Sequence, residues 1–320
     1  MSAPLAEYIW KNGKIVPWAE ATVHVMTHAL HYGTGVFEGM RIYDTHLGPA
    51  AFRMADHFKR LLTSGKIYGI IPPYSAEELG EATRQLASRN GLTAGYVRPL
   101  MFFGASGMAV TPGPDMPVDL VIICFPLGRY LGADAIEQGV DVCVSTWRRP
   151  APSTTPAAAK ASGNYLSGVL IGREAQAHGF AEGIALGADG RLSEGAGENL
   201  FIVKDGKLLT PPAGAAILFG ITRDTVIKLA KDMGVEVVEQ SMPREILYMA
   251  DEIFLTGTAA EITPVRSVDR LQVGEGRRGP ITRALQDAFF GLFDGSTEDK
   301  RGWLEPIGQR ADKRTSAAAE

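Results

Sequence analysis

The stretch TPAAAKASGNYLSGVL, residues 155–170, encloses one lysine, Lys160, in alanine, serine and glycine. A surface lysine ordinarily sits among other charges, where water solvates its ammonium. Neighbours this small let something bulky lie against the backbone. A lysine in tight, poorly solvated surroundings has a depressed pKa and is a candidate nucleophile or Schiff-base former. An exposed lysine at the start of an alanine-rich helix has the same local sequence, so the rest of the chain decides between the two.

Outward from this stretch, 320 residues suffice for two domains, each with its own core. A hydrophobic fraction of 45% and a charged fraction of 21% are those of an ordinary globular protein. The net charge of −4, without a basic run before the tail, argues against nucleic acid or an anionic membrane as partner. Cys124 and Cys143 lie in the strand-like runs VIICF and VDVCVS and read as buried free thiols. The N-terminus lacks the pattern of a signal peptide, and no window is long and apolar enough to span a bilayer. The expectation is a cytoplasmic protein.

In the first half, EYIWKNGKIVP (7–17) predicts a hairpin turning at Asn12 and Gly13. Residues 56–69 predict a helix capped by Asp56, with Phe58, Leu61, Leu62 and Ile67 on its apolar side. A second helix, 75–91, carries a capping box of Ser75 with Glu78 and a closing Gly91. Strands follow at 95–104 and 118–126. Residues 127–139, polar and aperiodic, read as the connection to a second domain. There a strand at 140–147 and a proline-rich loop lead into a helix over 164–178, with Leu166, Val169 and Leu170 expected to face a core. A hairpin over 199–210 turns at Asp205 and Gly206. The helix 222–233 places Val226, Leu229, Ala230 and Met233 on one face. A final helix is expected near 278–292 and a disordered tail from 309.

His24, His28 and His31 have helical metal-ligand spacing, but 22–27 reads as a strand, which breaks that register. A structural role is expected of them, and no metal. Residues 218–226, LFGITRDTV, open a helix with glycine and threonine, where free N–H groups and the helix dipole favour an anion. TGTAAEITP (256–264) is a second run of small and hydroxyl residues after a strand. Each alone is a common capping pattern. With Lys160 in the same domain they suggest pyridoxal phosphate, which also requires a carboxylate at its pyridinium nitrogen. Glu194, in RLSEGAGENLF (191–201), is the candidate, and a surface glutamate is its ordinary alternative.

Together, PAAAKASGNYLS, RLSEGAGENLF, FGITRD and TGTAAEITPV closely resemble the fold-type IV pyridoxal-phosphate enzymes. With HALHYGTGVFEGMR (28–41) and YVRPL (96–100), the resemblance is to bacterial branched-chain amino-acid aminotransferases, in order over about residues 7–306. It implies an α+β, two-domain architecture like that of D-amino-acid aminotransferase. The smaller domain would run over 1–130, the connection over 131–139 and the larger, cofactor-binding domain over 140–308. It also implies a ping-pong transfer between L-leucine, L-isoleucine or L-valine and 2-oxoglutarate through pyridoxamine phosphate.

By the same resemblance Lys160 carries the cofactor and moves the proton, Glu194 pairs with the pyridine nitrogen and Tyr165 bonds the phenolic oxygen. Arg60, Ile221, Thr222 and Thr258 would hold the phosphate. Tyr96, with N–H groups near Thr258 and Ala259, would hold the substrate α-carboxylate. Tyr32, Phe37, Arg98, Met108, Val110 and Tyr130 match the side-chain pocket. Leu127 stands where the bacterial relatives carry tryptophan, which bears on side-chain preference. Family pockets reach across a subunit interface, which implies at least a homodimer, and bacterial relatives often form hexamers. D-Amino-acid aminotransferases and aminodeoxychorismate lyases share the fold, but Tyr96, Arg98 and GTGVFEGMR favour the L-specific group. Retention of Lys160, Glu194, Tyr165 and Arg60 together argues against a binding protein with a decayed site.

Overall fold

The structure, a computed structural model, describes residues 5–107, 109–128 and 134–307. Two sheets organise it. In the first, the strands run in the order Leu304–Pro306, Gly48–Phe52, Met40–Thr45, Gly95–Phe103, Val118–Phe125, Tyr8–Lys11 and Lys14–Pro17, with Gly35–Phe37 also on Gly95–Phe103. All its pairs are antiparallel. The second sheet orders Leu192–Gly195, Glu182–Leu186, Val140–Arg148, Glu261–Val268, Glu252–Gly257, Asn199–Lys204, Lys207–Thr210 and Val237–Glu239. Leu271–Gln272 adds to Glu261–Val268.

Helices Met54–Tyr68 and Ala76–Arg89 bury Phe58, Leu61, Leu79 and Leu86 in the first sheet's core. The capping box of Ser75 and Glu78 forms as its spacing predicts. A second core ties the sheets together. Ala50, Phe52 and Leu304 of the first sheet share it with Phe201 and Phe254 of the second, and with Leu229 and Phe289 from helices Ile221–Asp232 and Pro280–Asp294. Fully burying each such side chain contributes about 1.5–3 kcal/mol. The last described strand, Leu304–Pro306, therefore lies in the first sheet although its sequence span falls in the second domain's range. Among the described residues no helix is long and apolar enough to cross a membrane.

Several local expectations change. Helix Met54–Tyr68 begins two residues before Asp56; Arg53, at φ 56°, occupies the cap, and Asp56 instead accepts its Nε at 2.7 Å. Ile67 is exposed. No strand forms over 22–27, where the chain turns into the helix His28–Tyr32. Buried His28 meets Thr34 Oγ1 and the Ala109 carbonyl, and no group of three or more candidate metal ligands occurs among the described residues. Met233 ends its helix exposed.

The largest change is in helix Tyr165–Ala177, whose Leu166, Val169 and Leu170 are 69%, 55% and 40% exposed. Its buried face is Gly168, Ile171 and Ala175 instead. There the backbones come too close for large side chains: a Cβ on Gly168 would lie 2.5 Å from the Ala196 carbonyl, and one on Gly183 2.6 Å from Ile171. Close approach selects the small face, and the apolar face is left outward. The expected tail, 309–320, lies outside the described residues, as do residues 131–133 of the 131–139 connection. Its described end holds the short helix Ala135–Gln138.

Candidate active site

A cavity of about 670 Å³ is lined from both sheets, and Lys160 faces it. The first domain holds the lysine's backbone: its carbonyl accepts from Phe37 N at 3.0 Å, and its N–H donates to Ser64 Oγ at 3.1 Å. Asn164 Nδ2 donates to the carbonyls of Pro156 and Ala159, closing the loop before it. Lys160 Nζ donates to Tyr165 Oη at 2.5 Å. Burial, seconded by the Arg60 charge, lowers the amine to about 8. Burial also pushes the Tyr165 hydroxyl above its usual range, so it stays a protonated donor.

Glu194 lies buried at the end of the strand Leu192–Gly195. Oε1 pairs with Arg149 Nη2 at 2.8 Å; Oε2 accepts from Asn199 Nδ2 and Leu218 N, both at 3.0 Å. Burial raises this carboxyl, while Arg149 opposes the rise. A smaller void touches both Glu194 and Lys160, with Tyr165 between them in its lining. Sequence reading missed Arg149, which opens the proline-rich loop and there looks like a surface residue.

Arg60 reaches the cavity from helix Met54–Tyr68. Glu38 receives its Nε at 2.5 Å and its Nη2 at 2.9 Å, and Nη1 donates to the Phe219 carbonyl. Glu38 Oε2, which accepts from Arg60 Nη2, also meets His57 Nδ1 at 2.7 Å. Burial disfavours the Glu38 carboxylate, but Arg60 and His57 together outweigh it and hold its pKa below the usual range. Glu38 and His57 also escaped the sequence reading. A fully buried glutamate requires a counter-charge and hydrogen-bond donors: Arg60 supplies the charge, and His57, three residues earlier on the same helix face and with its own pKa pushed down by burial, supplies a hydrogen bond.

Opposite, helix Ile221–Asp232 begins at Gly220 without a side-chain cap, and its first residues, Ile221 and Thr222, line the cavity. A Cβ at Gly220 would sit 1.9 Å from Asn199 Oδ1. Thr256 Oγ1, beside the turn at 258–260, is buried with no hydrogen-bond partner among the described residues. An uncapped helix start and an unsatisfied hydroxyl suit a bound anion.

Tyr96, Arg98 and Phe37 line the first-sheet side. The Arg98 guanidinium lies 5.0 Å over Phe37 and 5.3 Å over Tyr96 and donates to Tyr96 Oη at 3.2 Å. Its Nε is buried with no partner among the described residues. Thr258 and Ala259 line the cavity as well. Tyr32 and Val110 do not: they are 38% and 69% exposed and outside the lining. Met108 and Tyr130 lie outside the described residues. Leu127, half-buried beyond the strand Val118–Phe125, also stays out of the lining.

A partly neutral amine suits attack on an aldehyde, a buried carboxyl paired with arginine suits a ring nitrogen, and the uncapped helix start suits a phosphate. These requirements coincide in pyridoxal 5′-phosphate, on the two-domain scaffold of fold type IV. The family of class IV amino-transferases matches residues 35–268. The branched-chain-amino-acid aminotransferase of Salmonella typhimurium is 59% identical over 96% of this chain and 99% of its own. The crystal structure of the Escherichia coli branched-chain amino acid aminotransferase superposes with a TM-score of 0.94 at 59% identity, covering 95% of this chain and 100% of that one. The branched-chain amino acid aminotransferase of Thermobaculum terrenum, solved in its PLP form, gives 0.88 at 35% identity over 95% and 99%. The chain belongs to the class IV aminotransferase family, whose cofactor is pyridoxal 5′-phosphate.

Proposed function

We propose that this protein is a branched-chain amino-acid aminotransferase, moving an amino group reversibly between L-leucine, L-isoleucine or L-valine and 2-oxoglutarate. The observation that carries the reading is a cavity joining the Lys160–Tyr165 pair to a half-buried Arg98 that has no carboxylate partner among the described residues. Apolar substrates need a wall such as Phe37; glutamate needs a cation for its distal carboxylate.

When bound, pyridoxal phosphate supplies the carbonyl carbon that accepts the amino group and the conjugated ring that takes up the electron pair from Cα. Lys160, its amine lowered to about 8, holds the cofactor and moves the proton between Cα and C4′. Glu194 would face the pyridine nitrogen and favour its protonated form, and Arg149 opposes the rise that burial imposes on the Glu194 carboxyl. Tyr165 donates to the phenolic oxygen. Arg60, oriented by Glu38, joins Ile221, Thr222 and Thr258 around the phosphate. Tyr96 and N–H groups of the 258–260 turn take the α-carboxylate.

On this reading residues 1–130 form the substrate-side domain, whose sheet also takes the strand Leu304–Pro306, and the rest of 140–308 forms the cofactor-side domain. The working unit is at least a homodimer, in which Tyr32 and Val110, away from their own cavity, serve the partner's together with Met108 and Tyr130. The outward Leu166 and Leu170 are apolar surface that a second copy would cover, while Val169 borders the cavity itself. A panel of L- and D-amino acids with 2-oxoglutarate as acceptor tests the reading, alongside borohydride fixation of the cofactor. Transfer from the three branched-chain L-amino acids, with the adduct on the peptide containing Lys160, is expected. Transfer only from D-amino acids, or an adduct on another lysine, refutes it.

A further inference from the structure

We propose that Arg41 is a positioning residue: it aims the backbone N–H groups of the 258–260 turn into the cavity and so sets the affinity for the α-carboxylate common to every substrate. The inference rests on the aminotransferase reading and deepens its substrate side. Arg41 leaves the strand Met40–Thr45 on the face it shares with Tyr43, and Tyr96 is its cross-strand partner. The side chain is buried and crosses to the second sheet. Nε donates to the Thr258 carbonyl at 3.1 Å, and Nη2 donates to the carbonyls of Ala259 and Gly128, each at 3.1 Å.

In a planar trans peptide the N–H points opposite to the preceding C=O. With the carbonyls of Thr258 and Ala259 held toward Arg41, the N–H groups of Ala259 and Ala260 are turned away from it. Thr258, Ala259 and Ala260 line the cavity, whereas Arg41 does not. Neither N–H has a backbone acceptor among the described residues. The guanidinium charge also polarises the peptides it holds, which strengthens their far ends as donors to an anion.

A planar fork holds carbonyls from two segments at fixed angles, whereas the three donors of an ammonium radiate from one atom on a flexible stem and fix those angles poorly. The arrangement has its own support. Glu261, at φ 55°, closes the turn and brings its Oε1 within 3.8 Å of Arg41 Nε, while Tyr43 Oη donates to the same oxygen at 2.9 Å. A non-glycine residue in the left-handed region is strained. Here that residue is held by two side chains of the opposite sheet, so the turn's geometry is set from the first domain.

The test uses Arg41→Met and the conservative Arg41→Lys as cofactor-loaded enzymes. Binding is measured by cofactor absorbance for 4-methylpentanoate, which is leucine's skeleton without the amino group, and for the neutral 4-methylpentanamide. The expected result is a loss of carboxylate affinity of about tenfold or more in both variants, with amide affinity unchanged. KM should rise by the same factor for leucine and for glutamate, kcat should change little, and the pH titration of the bound cofactor's absorbance should not move. Unchanged carboxylate affinity in a folded Arg41→Lys enzyme overturns the proposal, as does equal weakening of acid and amide. The wild-type enzyme separates the two readings. If it transfers no amino group from leucine, the aminotransferase assignment fails; if it does and the variants keep their carboxylate affinity, only the role of Arg41 fails.

Discussion

Arg98→Met removes a guanidinium that has no carboxylate partner among the described residues and whose buried Nε has no hydrogen-bond partner there. Arg60 and Arg149 differ in this respect, since Glu38 and Glu194 neutralise them. The Arg98 cation is stacked between Phe37 and Tyr96, so it is already held in place when an anionic substrate arrives. Losing a charge-assisted hydrogen bond costs about 1.5–3 kcal/mol, a factor of roughly ten to a hundred in the glutamate half-reaction. Methionine keeps an unbranched apolar stem against Phe37, so the leucine half-reaction should lose well under about 1.5 kcal/mol, the usual limit for a volume-conserving change. Single-turnover absorbance changes of the bound cofactor, driven by each amino acid separately, measure the two losses. Equal losses for leucine and glutamate would show that Arg98 holds a group common to both substrates, or only the fold, and the reasoning would fail.

Glu194→Gln should retain cofactor yet slow proton removal from Cα. It should also cost about 3–5 kcal/mol of stability, because Arg149 is left buried without its counter-charge; unchanged turnover would make Glu194 a loop residue. In the apoprotein Lys160 titrates near 8, against 10.5 as its ordinary value. Between those values the unfolded chain binds more protons, so stability rises with pH across that window, and below about 8 the full penalty is present. Lys160→Ala should flatten that slope in denaturation curves taken across the window; an identical slope rejects the assignment. If the homodimer proposed above is covered at this face, Leu166→Glu combined with Leu170→Glu should give monomers in sedimentation and lower activity, whereas an unaltered sedimentation coefficient refutes a subunit contact there. Leu127 lies outside the cavity lining, so Leu127→Trp should change transfer from aromatic amino acids no more than transfer from leucine; a selective loss of the aromatic substrates would put residue 127 at the pocket.

Local chemistry was legible in the order of residues wherever it depends on near neighbours. The hairpin at Asn12 and Gly13, the capping box at Ser75 and the small residues around Lys160 act within a few positions of one another, and each forms as its spacing implies. Lys160, Glu194, Thr222 and Thr258 stood out because the residues beside them carry the signal, whereas Arg60 came from the family resemblance alone; the fold brings all five to one cavity or its adjoining void. What failed depended on distant partners. Leu166, Val169 and Leu170 look like core because periodicity records which residues share a face, and contact with Gly183 and Ala196 decides which face is buried. Arg149, Glu38 and Arg41 acquire meaning only through Glu194, through His57 with Arg60, and through the carbonyls of Thr258 and Ala259. Most of those partners are far along the chain. A buried charge takes its role from whatever neutralises it, and only the folded chain brings such partners together.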